Sequence, residues 1–305
     1  MRIAVAINAR ASSGSRLRAG AEVVDYFRAA GMDVLELRES SFARLGSAVD
    51  RALAASVDAL VVVGGDGMVH LAVNALAGSG GLGSRVPLGI VRTGTGNDAA
   101  RTLALPLNDV EAACRRITAG MAAGGRPVDL GRISADAGTR WFAGALSAGF
   151  DASVNDRGNR WRWPRGKARY NLAMLRELAT FRAIEYTVTD YTETDDGVSW
   201  QQRAMLISIA NGQSIGGGMR ITPDARLDDG MLDLFVVSPL SRARFLAVFP
   251  KVFTGRHVGH PAVEIRQVRK VRLSARNVTA YADGERIGPL PLTVEVDPGA
   301  VRILA

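Results

Sequence analysis

The sequence predicts two domains: a Rossmann-like three-layer α/β domain with a parallel sheet, followed by an antiparallel β-sandwich. Apolar strand-like segments alternate with helical segments through the first part of the chain, which is typical of a parallel sheet covered by helices. After residue 126 this alternation stops, and short β-rich segments follow. The length of 305 residues allows two cores, and 47% hydrophobic with 22% charged residues is typical of a globular protein. We predict domains at 1–126 and 127–292, with 293–305 returning to the first domain.

The first domain is predicted from five apolar or amphipathic segments before the first glycine turn. The predicted elements are a strand over 2–7, a helix over 16–29, a strand over 33–37, a helix over 42–55 and a strand over 59–63. A strand over 87–91 and a helix over 108–119 complete this domain, and the Gly- and Ala-rich stretch 120–127 is predicted to be a linker.

The second domain is predicted from short segments rich in β-branched and apolar residues. The predicted strands cover 127–133, 141–146, 184–189, 204–210 and 232–237, with several more after residue 261. Two helices are expected to interrupt them, over 167–181 and 241–253, the second with apolar residues at helical spacing and Gly255 as its stop signal.

Two glycine turns in the first domain are the main functional signal. Gly64–Met68 follows the apolar run Ala59–Val63, and Gly94–Asp98 follows Pro87–Val91. Glycine allows positive φ and close approach of a ligand, and the first amides of the next helix have no partner within that helix. Two such turns at neighbouring strand ends predict a polyphosphate site at the carboxyl edge of the sheet. An ordinary tight connection is the alternative for either turn alone.

The kind of nucleotide site is narrowed by two further observations. A P-loop needs a lysine after its glycines, and Lys167 is the first lysine of the chain. The two glycine turns are therefore not P-loops. The run Gly94–Ala99 fits the G-x-G-x-x-A pattern of dinucleotide sites. However, Arg115 and Arg116, and not an acidic residue, stand about twenty positions further on. A redox dinucleotide site is therefore the weaker interpretation.

These motifs resemble the catalytic signature of bacterial diacylglycerol kinases and related lipid kinases, with sphingosine kinases and, more distantly, NAD kinases sharing parts of it. The resemblance runs in order through almost the whole chain. The matching segments are Gly64–Gly67, Pro87–Gly89, Gly94–Arg101, Val128–Gly131, Ser147–Asp151, Gly216–Gly218, Ile221–Ala225, Asp228–Asp233 and Asp283–Glu285.

The resemblance implies an ATP- and Mg²⁺-dependent kinase whose acceptor is the hydroxyl of diacylglycerol or a similar lipid. It implies that Glu285 is the general base and that Asp66 and Asp98 act near the phosphates, through Mg²⁺ or as helix caps. The active site is expected in the cleft between the two domains. The implied nucleotide contacts are Asn8, Ser12, Ser13, Gly14, Gly64, Gly65, Asp66, Gly67, Met68, Gly94, Thr95, Gly96 and Asn97.

A second, structural Mg²⁺ site is also implied by the resemblance. Arg226 and Met231 would supply backbone carbonyls and Asp229 a carboxylate. Carbonyl ligands make little demand on side-chain identity, so this assignment tolerates the Arg and Met. The spacing of His257 and His260 does not predict zinc, since no further ligand stands near them.

The chain departs from the family pattern at four positions near the glycine turns. The family usually has Thr after Gly-Gly-Asp-Gly and then Asn-Glu, whereas Met68, His70 and Leu71 stand here. It also prefers Pro where this chain has Arg92, and an arginine can itself reach a phosphate. We expect activity to be kept, because Glu285 and the glycine turns are unchanged, with altered handling of the nucleotide. Whether GTP can replace ATP is left open.

The basic character of the chain predicts acidic partners. Its net charge is +8, and it has one cysteine and so no intrachain disulfide. The segment 157–169 combines cations with tryptophans, a composition that favours binding to an anionic membrane surface. A solvated loop is an equally good interpretation of this segment. Its residues are Arg157, Arg160, Trp161, Arg162, Trp163, Arg165, Lys167 and Arg169. No nucleic-acid recognition motif accompanies them.

The opening residues have the pattern of a strand and not of a signal peptide, and no 18-residue apolar run is present. We therefore expect a cytoplasmic protein that associates peripherally with membranes, and a homodimer is one assembly open to it. Two rival functions remain. The chain could bind nucleotide or lipid without turnover, or it could act as an NAD kinase.

Overall fold

The structure is a computed structural model that describes residues 1–8, 14–93, 98–103, 105–106, 109–136, 138–149 and 182–305. The chain forms two compact units. Unit 1 comprises Met1–Leu130 and Pro298–Ala305, and unit 2 comprises Gly131–Asp297. The predicted combination of an α/β domain and a β-sandwich is confirmed. The domain bounds expected from the sequence, at 126/127 and 292/293, stay a prediction.

Unit 1 is built on parallel strands in the order β2-β1-β3-β4. Its elements are β1 (Arg2–Asn8), α1 (Gly14–Ala29), β2 (Asp33–Glu39), α2 (Phe42–Ala54), β3 (Ala59–Gly64), α3 (Asp66–Gly78), a 3₁₀ helix (Leu82–Ser84), β4 (Leu88–Arg92), α4 (Asp98–Thr102) and α5 (Val110–Ala122). Every residue of β3 and β4 is buried, as expected where helices cover both faces of a parallel sheet.

The last residues of the chain complete unit 1. Ile303 pairs in parallel with Leu88 of β4, and the Leu304 amide donates to the Leu88 carbonyl at 2.9 Å. A Cβ atom on Gly83 would lie 2.2 Å from the Ala300 carbonyl oxygen, so this position has no room for a side chain. The C-terminal segment is therefore an integral part of the first core.

Unit 2 is an antiparallel sandwich. In chain order it contains the end of β5 (Arg126–Ala135), then β6 (Gly138–Phe142), β7 (Ala145–Gly149), β8 (Ile184–Asp190), β9 (Val198–Ala204), β10 (Leu206–Ala210), β11 (Leu232–Val237), α6 (Arg242–Val248), a 3₁₀ helix (Phe249–Thr254), β12 (Val263–Val268), β13 (Lys270–Ser274), β14 (Thr279–Ala282), β15 (Glu285–Pro289) and the first half of β16 (Leu292–Ile303). One sheet has the order β12-β11-β10-β7-β14-β15, and the facing layer runs β16-β13-β8-β9.

Alternation along β11 shows how the six-stranded sheet is covered on both faces. Leu234 and Val236 join the core of the sandwich, whereas Phe235 and Val237 pack on the other face with Val252 of the 3₁₀ helix. This is the period of two that a strand imposes on its side chains. The helical segment therefore forms an outer layer on this sheet.

Several predicted boundaries were wrong in detail. The predicted strand 141–146 is two strands that break at Ala143 and Gly144, and the predicted strand 204–210 breaks at Met205. The predicted linker is shorter, because α5 runs to Ala122 and β5 begins at Arg126. The helix predicted over 241–253 changes to 3₁₀ geometry at Phe249, with a proline at its second position. The helix predicted over 167–181 lies outside the described residues.

Candidate active site

Three strand ends of unit 1 form one edge of the parallel sheet. Asn8 ends β1, Gly64 ends β3 and Arg92 ends β4. Gly64 and Arg92 are register partners, and the Thr93 amide donates to the Gly64 carbonyl at 3.0 Å. Ligands of open α/β sheets bind outside the carboxyl ends of the strands. This edge, which we call the phosphate edge, therefore stands where a nucleotide site is expected.

The first glycine turn begins a helix without a side-chain cap. Gly65 is the N-cap residue of α3 and has extended backbone angles, and Asp66 is the first residue of the helix. The positive end of the helix dipole therefore meets the carboxylate of Asp66 and favours oxygen ligands. Gly67 follows in the first turn of the same helix.

Met68 has a packing role that the sequence did not reveal. Its side chain is 1% exposed, and a Cβ atom on Gly64 would lie 2.3 Å from the Met68 Cγ atom. Its amide donates to the Gly65 carbonyl at 2.9 Å. The methionine that stands in place of the family threonine thus fills the core beneath the turn and depends on the glycine above it.

The second predicted turn is described only from its last residue. Asp98 begins α4, and its carboxylate lies 3.4 Å from the Arg101 guanidinium. Gly94, Thr95, Gly96 and Asn97 lie outside the described residues. So do Ser12 and Ser13, while Gly14 is the first residue of α1. The basic segment 157–169 lies outside them as well.

Arg92 is buried at the phosphate edge. Its side chain is 6% exposed, and its Nε and Nη1 atoms have no hydrogen-bond partner among the described residues. Burial lowers the pKa of Arg92, Arg101 lowers it further, and Asp66 and Asp98 raise it. The two acidic residues predicted to act in catalysis therefore lie close enough to the guanidinium to influence its pKa.

In unit 2, Glu285 stands on a tight hairpin. Asp283 and Gly284 connect β14 to β15 with φ values of 50° and 85°, the positive pair that a type I′ hairpin turn requires. Glu285 is the first residue of β15, and its side chain is exposed. The carboxylate is therefore accessible to solvent and to an acceptor molecule.

Asp283 has a structural role that the D-G-E turn alone does not predict. Its carboxylate accepts hydrogen bonds from the Ala143 amide at 3.0 Å and the Gly144 amide at 2.9 Å. The other side of this turn is held by Asn211, whose Nδ2 donates to the Ala143 carbonyl at 3.1 Å. These contacts explain the break between β6 and β7, and they tie the hairpin that carries Glu285 to the centre of the six-stranded sheet.

The predicted second Mg²⁺ site lies in an acidic part of unit 2. Asp229 accepts from the Met231 amide at 3.1 Å and from Gln267 Nε2 at 3.3 Å. Burial, Asp229 and Asp224 raise the pKa of Asp233 to about 6. A cation here would relieve repulsion among these carboxylates, although no group of three or more His, Cys, Asp or Glu side chains among the described residues could hold a metal. The predicted ligand set of one carboxylate and two backbone carbonyls stays a prediction.

The two histidines of the H-x-x-H pattern serve local structure. His257 is buried, and its Nε2 donates to the Ile221 carbonyl at 3.0 Å; His260 Nδ1 accepts from the Ala262 amide at 3.1 Å. His257 also lines an apolar cavity of about 70 Å³. Burial lowers the pKa of His257, because a ring buried among apolar side chains is poorly solvated when it is charged.

Stability should therefore fall as the pH drops below the unfolded histidine pKa of about 6.5. In that range the unfolded chain binds a proton at His257 that the folded chain does not, so the free energy of unfolding decreases with decreasing pH. H257Q should lose part of this pH dependence, as measured by urea unfolding at pH 5.0 and 7.5. H260Q is the matched control, and an unchanged pH dependence in H257Q would contradict the prediction.

Part of the family signature has a structural explanation. Asp129 is buried and accepts from the Gly299 amide at 2.8 Å, which secures the C-terminal segment within unit 1. Gly131 lies under the ring of Phe142, and a Cβ atom there would come within 2.1 Å of it. Val128–Gly131 therefore serves packing in this chain.

None of the helices described here combines the length and apolarity needed to cross a membrane.

Comparison with known proteins agrees with the fold and the motifs. Residues 2–133 match the diacylglycerol kinase catalytic domain, and residues 144–305 match the YegS C-terminal NAD kinase beta sandwich-like domain. The chain is 35% identical to a diacylglycerol kinase of Mycobacterium tuberculosis, over 97% of this chain and 93% of that protein. It is 27% identical to a diacylglycerol kinase of Bacillus subtilis, over 89% and 85% of the two chains.

A solved structure of a diacylglycerol kinase from Bacillus anthracis shares the fold. Its TM-score to this chain is 0.70 at 21% identity, and the alignment covers 99% of this chain and 96% of that one. The family assignment itself rests on the domain matches and on the sequence relatives. The chain therefore belongs to the diacylglycerol kinase family, a family of lipid kinases.

Proposed function

We propose that this protein transfers the γ-phosphate of ATP to the hydroxyl group of diacylglycerol or a closely related lipid. The observation that carries the proposal is the phosphate edge of unit 1, where Gly65 leaves the start of α3 without a side-chain cap beside the ends of β1 and β4. The names of the sequence relatives support the lipid acceptor. Phosphoryl transfer depends mainly on positioning and charge neutralisation, which such an edge can provide.

Nucleotide binding is assigned to the phosphate edge. Asn8, Gly64, Gly65, Asp66 and Gly67 would line the phosphates, with Ser12, Ser13, Gly14, Gly94, Thr95, Gly96 and Asn97 assigned by family resemblance alone. Met68 would contribute through the core beneath the turn, because its side chain is buried. The donor chemistry is suited to an anionic ligand, since helix amides and an arginine are gathered there.

Mg²⁺ fits the same edge because Asp66 and Asp98 offer the hard oxygen ligands that this ion prefers. Both carboxylates raise the pKa of Arg92, which supports a shared role for them near this arginine. When bound, the ion would neutralise charge on the phosphates. The two aspartates would otherwise repel a triphosphate, so their presence favours a metal-dependent donor.

Glu285 is proposed as the general base. The acceptor hydroxyl oxygen would bond to the γ-phosphorus as the bond from that phosphorus to the β–γ bridging oxygen breaks and ADP leaves. The hydroxyl proton would pass to the Glu285 carboxylate. Exposure of the side chain on a hairpin fixed by Asp283 supports this role, because a base needs both access and a defined position.

The defining experiment incubates the purified chain with γ-labelled ATP, Mg²⁺ and mixed micelles containing diacylglycerol. We expect labelled phosphatidic acid. Parallel reactions with sphingosine and with NAD, but no lipid, test the rival acceptors. Label transferred to NAD would replace the proposal with an NAD kinase. Nucleotide binding without any transfer would favour the non-catalytic alternative.

The second Mg²⁺ site predicts a metal-dependent gain in stability. We propose that Asp229 binds Mg²⁺ together with the carbonyls of Arg226 and Met231. Millimolar Mg²⁺ should then raise the melting temperature of the wild-type protein by about 2–4 °C, which corresponds to roughly 1 kcal/mol. D229N should remove this increase.

D195N is the matched control for D229N, since Asp195 is exposed in the turn between β8 and β9. A Mg²⁺ response in D229N equal to that of the wild type would exclude the assigned ligand.

Association with anionic membranes through the basic segment 157–169 stays a prediction, as do the homodimer and the cytoplasmic location. Co-sedimentation with phosphatidylglycerol vesicles tests the first. Replacement of Trp161 and Trp163 by serine should reduce binding if the segment lies at the membrane–water interface.

A further inference from the structure

The end of β4 holds a charged group with two donor atoms that no described residue satisfies. The Arg92 side chain is 6% exposed, and Nε and Nη1 have no hydrogen-bond partner among the described residues. A guanidinium group keeps its positive charge at all ordinary pH values. Since burying an unpaired charge is costly, an acceptor at this position would be bound favourably.

The position of Arg92 defines where that acceptor would lie. Arg92 is the register partner of Gly64, and the Thr93 amide donates to the Gly64 carbonyl. Arg92 therefore lies at the phosphate edge, next to the strand end that leads into the uncapped start of α3. Asp66 and Asp98, the first residues of α3 and α4, raise the pKa of Arg92, so their carboxylates lie within electrostatic range of the guanidinium.

The neighbouring charges select the kind of ligand. Two carboxylates at a phosphate edge would repel a phosphate, and Arg101 is already paired with Asp98 at 3.4 Å. Arg92 thus brings to the edge a positive group with two donor atoms, Nε and Nη1, that have no partner among the described residues. Its planar fork matches two oxygens of one phosphoryl group, whereas a cation could not accept hydrogen bonds from these donors.

We infer that Arg92 binds phosphoryl oxygens of the nucleotide and so makes nucleotide binding less dependent on Mg²⁺. This role rests on the proposed function, in which the phosphate edge holds ATP. The fixed positive charge would offset the repulsion from Asp66 and Asp98 before any metal arrives. The family prefers proline at position 92. In this chain Arg92 would supply part of the positive charge that Mg²⁺ otherwise provides.

The test measures binding and not turnover. Calorimetry with the purified chain compares ADP, inorganic pyrophosphate and adenosine, each with Mg²⁺ and with EDTA. We expect R92Q to bind ADP and pyrophosphate roughly 10- to 100-fold more weakly in EDTA, with a smaller loss in Mg²⁺ and no change for adenosine. R92K should be intermediate, because it keeps the charge and loses the fork.

Thermal melting provides a second readout and a fold control. R92Q without ligand should melt at the wild-type temperature or above it, since it removes a buried unpaired charge, and pyrophosphate should no longer raise its melting temperature. R85Q, at an exposed arginine of unit 1, should behave as wild type. If R92Q does not fold, R92K decides: a pyrophosphate affinity at least about tenfold weaker supports the inference, and an unchanged affinity overturns it.

The outcomes separate this inference from the proposed function. If the chain binds pyrophosphate through Arg92 but does not bind ADP, the anion site stands and the kinase assignment is wrong. The kinase assignment would stand and the role of Arg92 would be overturned by a different result. In that result the chain phosphorylates lipid, and R92Q binds ADP and pyrophosphate as tightly as the wild type does. A larger loss in Mg²⁺ than in EDTA would also overturn it.

Discussion

Replacing Glu285 with glutamine is expected to lower the turnover of lipid phosphorylation by about 10²–10⁴-fold, the range typical of losing a general base. Glutamine has nearly the same size as glutamate but cannot accept the proton of the attacking hydroxyl. Because the Glu285 side chain is exposed, the substitution should leave the fold and the melting temperature unchanged. Initial rates with diacylglycerol micelles, measured across ATP concentrations, give the effect on kcat and KM separately.

The matched control is E264Q, at an exposed glutamate of β12 in the same unit, whose contact with Arg266 lies on the surface. It should keep wild-type rates. ADP affinity should be the same in wild type and E285Q, since nucleotide binding is assigned to unit 1. A variant that retains more than about a tenth of the wild-type kcat would rule out the general-base role.

Replacing Asp283 with alanine should give the largest loss of stability among the substitutions proposed for this chain. It removes two charge-assisted hydrogen bonds, to the Ala143 and Gly144 amides, and leaves these partly buried donors without their acceptor. Bonds to charged groups contribute about 1.5–3 kcal/mol each, so we expect a cost of about 2–4 kcal/mol. The melting temperature of unit 2 should fall by roughly 5–10 °C, which differential scanning calorimetry would measure.

D283N retains one good acceptor oxygen and should lie between alanine and wild type. D196A, at an exposed turn residue of the same unit, should change the free energy of unfolding by less than about 0.5 kcal/mol. A D283A protein that melts with the wild type would mean that the turn between β6 and β7 is held by its other contacts alone. Activity is a separate readout, since displacement of the hairpin would also move Glu285.

The predictions from sequence succeeded where local pattern determines structure. The buried strands β1, β3 and β4 are continuous apolar runs between glycine or polar turns, and such runs indicate a parallel sheet directly. The predicted antiparallel sandwich likewise follows from short alternating segments. Glu285 was assigned by family resemblance, because a D-G-E turn alone indicates only a hairpin.

The features that sequence did not reveal depend on distant contacts. The break at Ala143–Gly144 is imposed by a carboxylate 140 residues away, so no local window contains its cause. The burial of Arg92 follows from its place beside β3, whereas a charged residue at the end of a strand would ordinarily be expected in solvent. The family resemblance implies Met68 as a nucleotide contact, whereas its packing under Gly64 is visible only with the side chains in place.

The contribution of Pro298–Ala305 to unit 1 has a consequence for biogenesis. While the ribosome is still translating unit 2, the nascent N-terminal unit lacks the neighbour that later pairs with β4 through Ile303 and Leu304. An open strand edge of this kind can recruit other chains. Recombinant fragments that stop near residue 130 should therefore aggregate, and co-expression of a peptide covering the last residues should rescue their solubility.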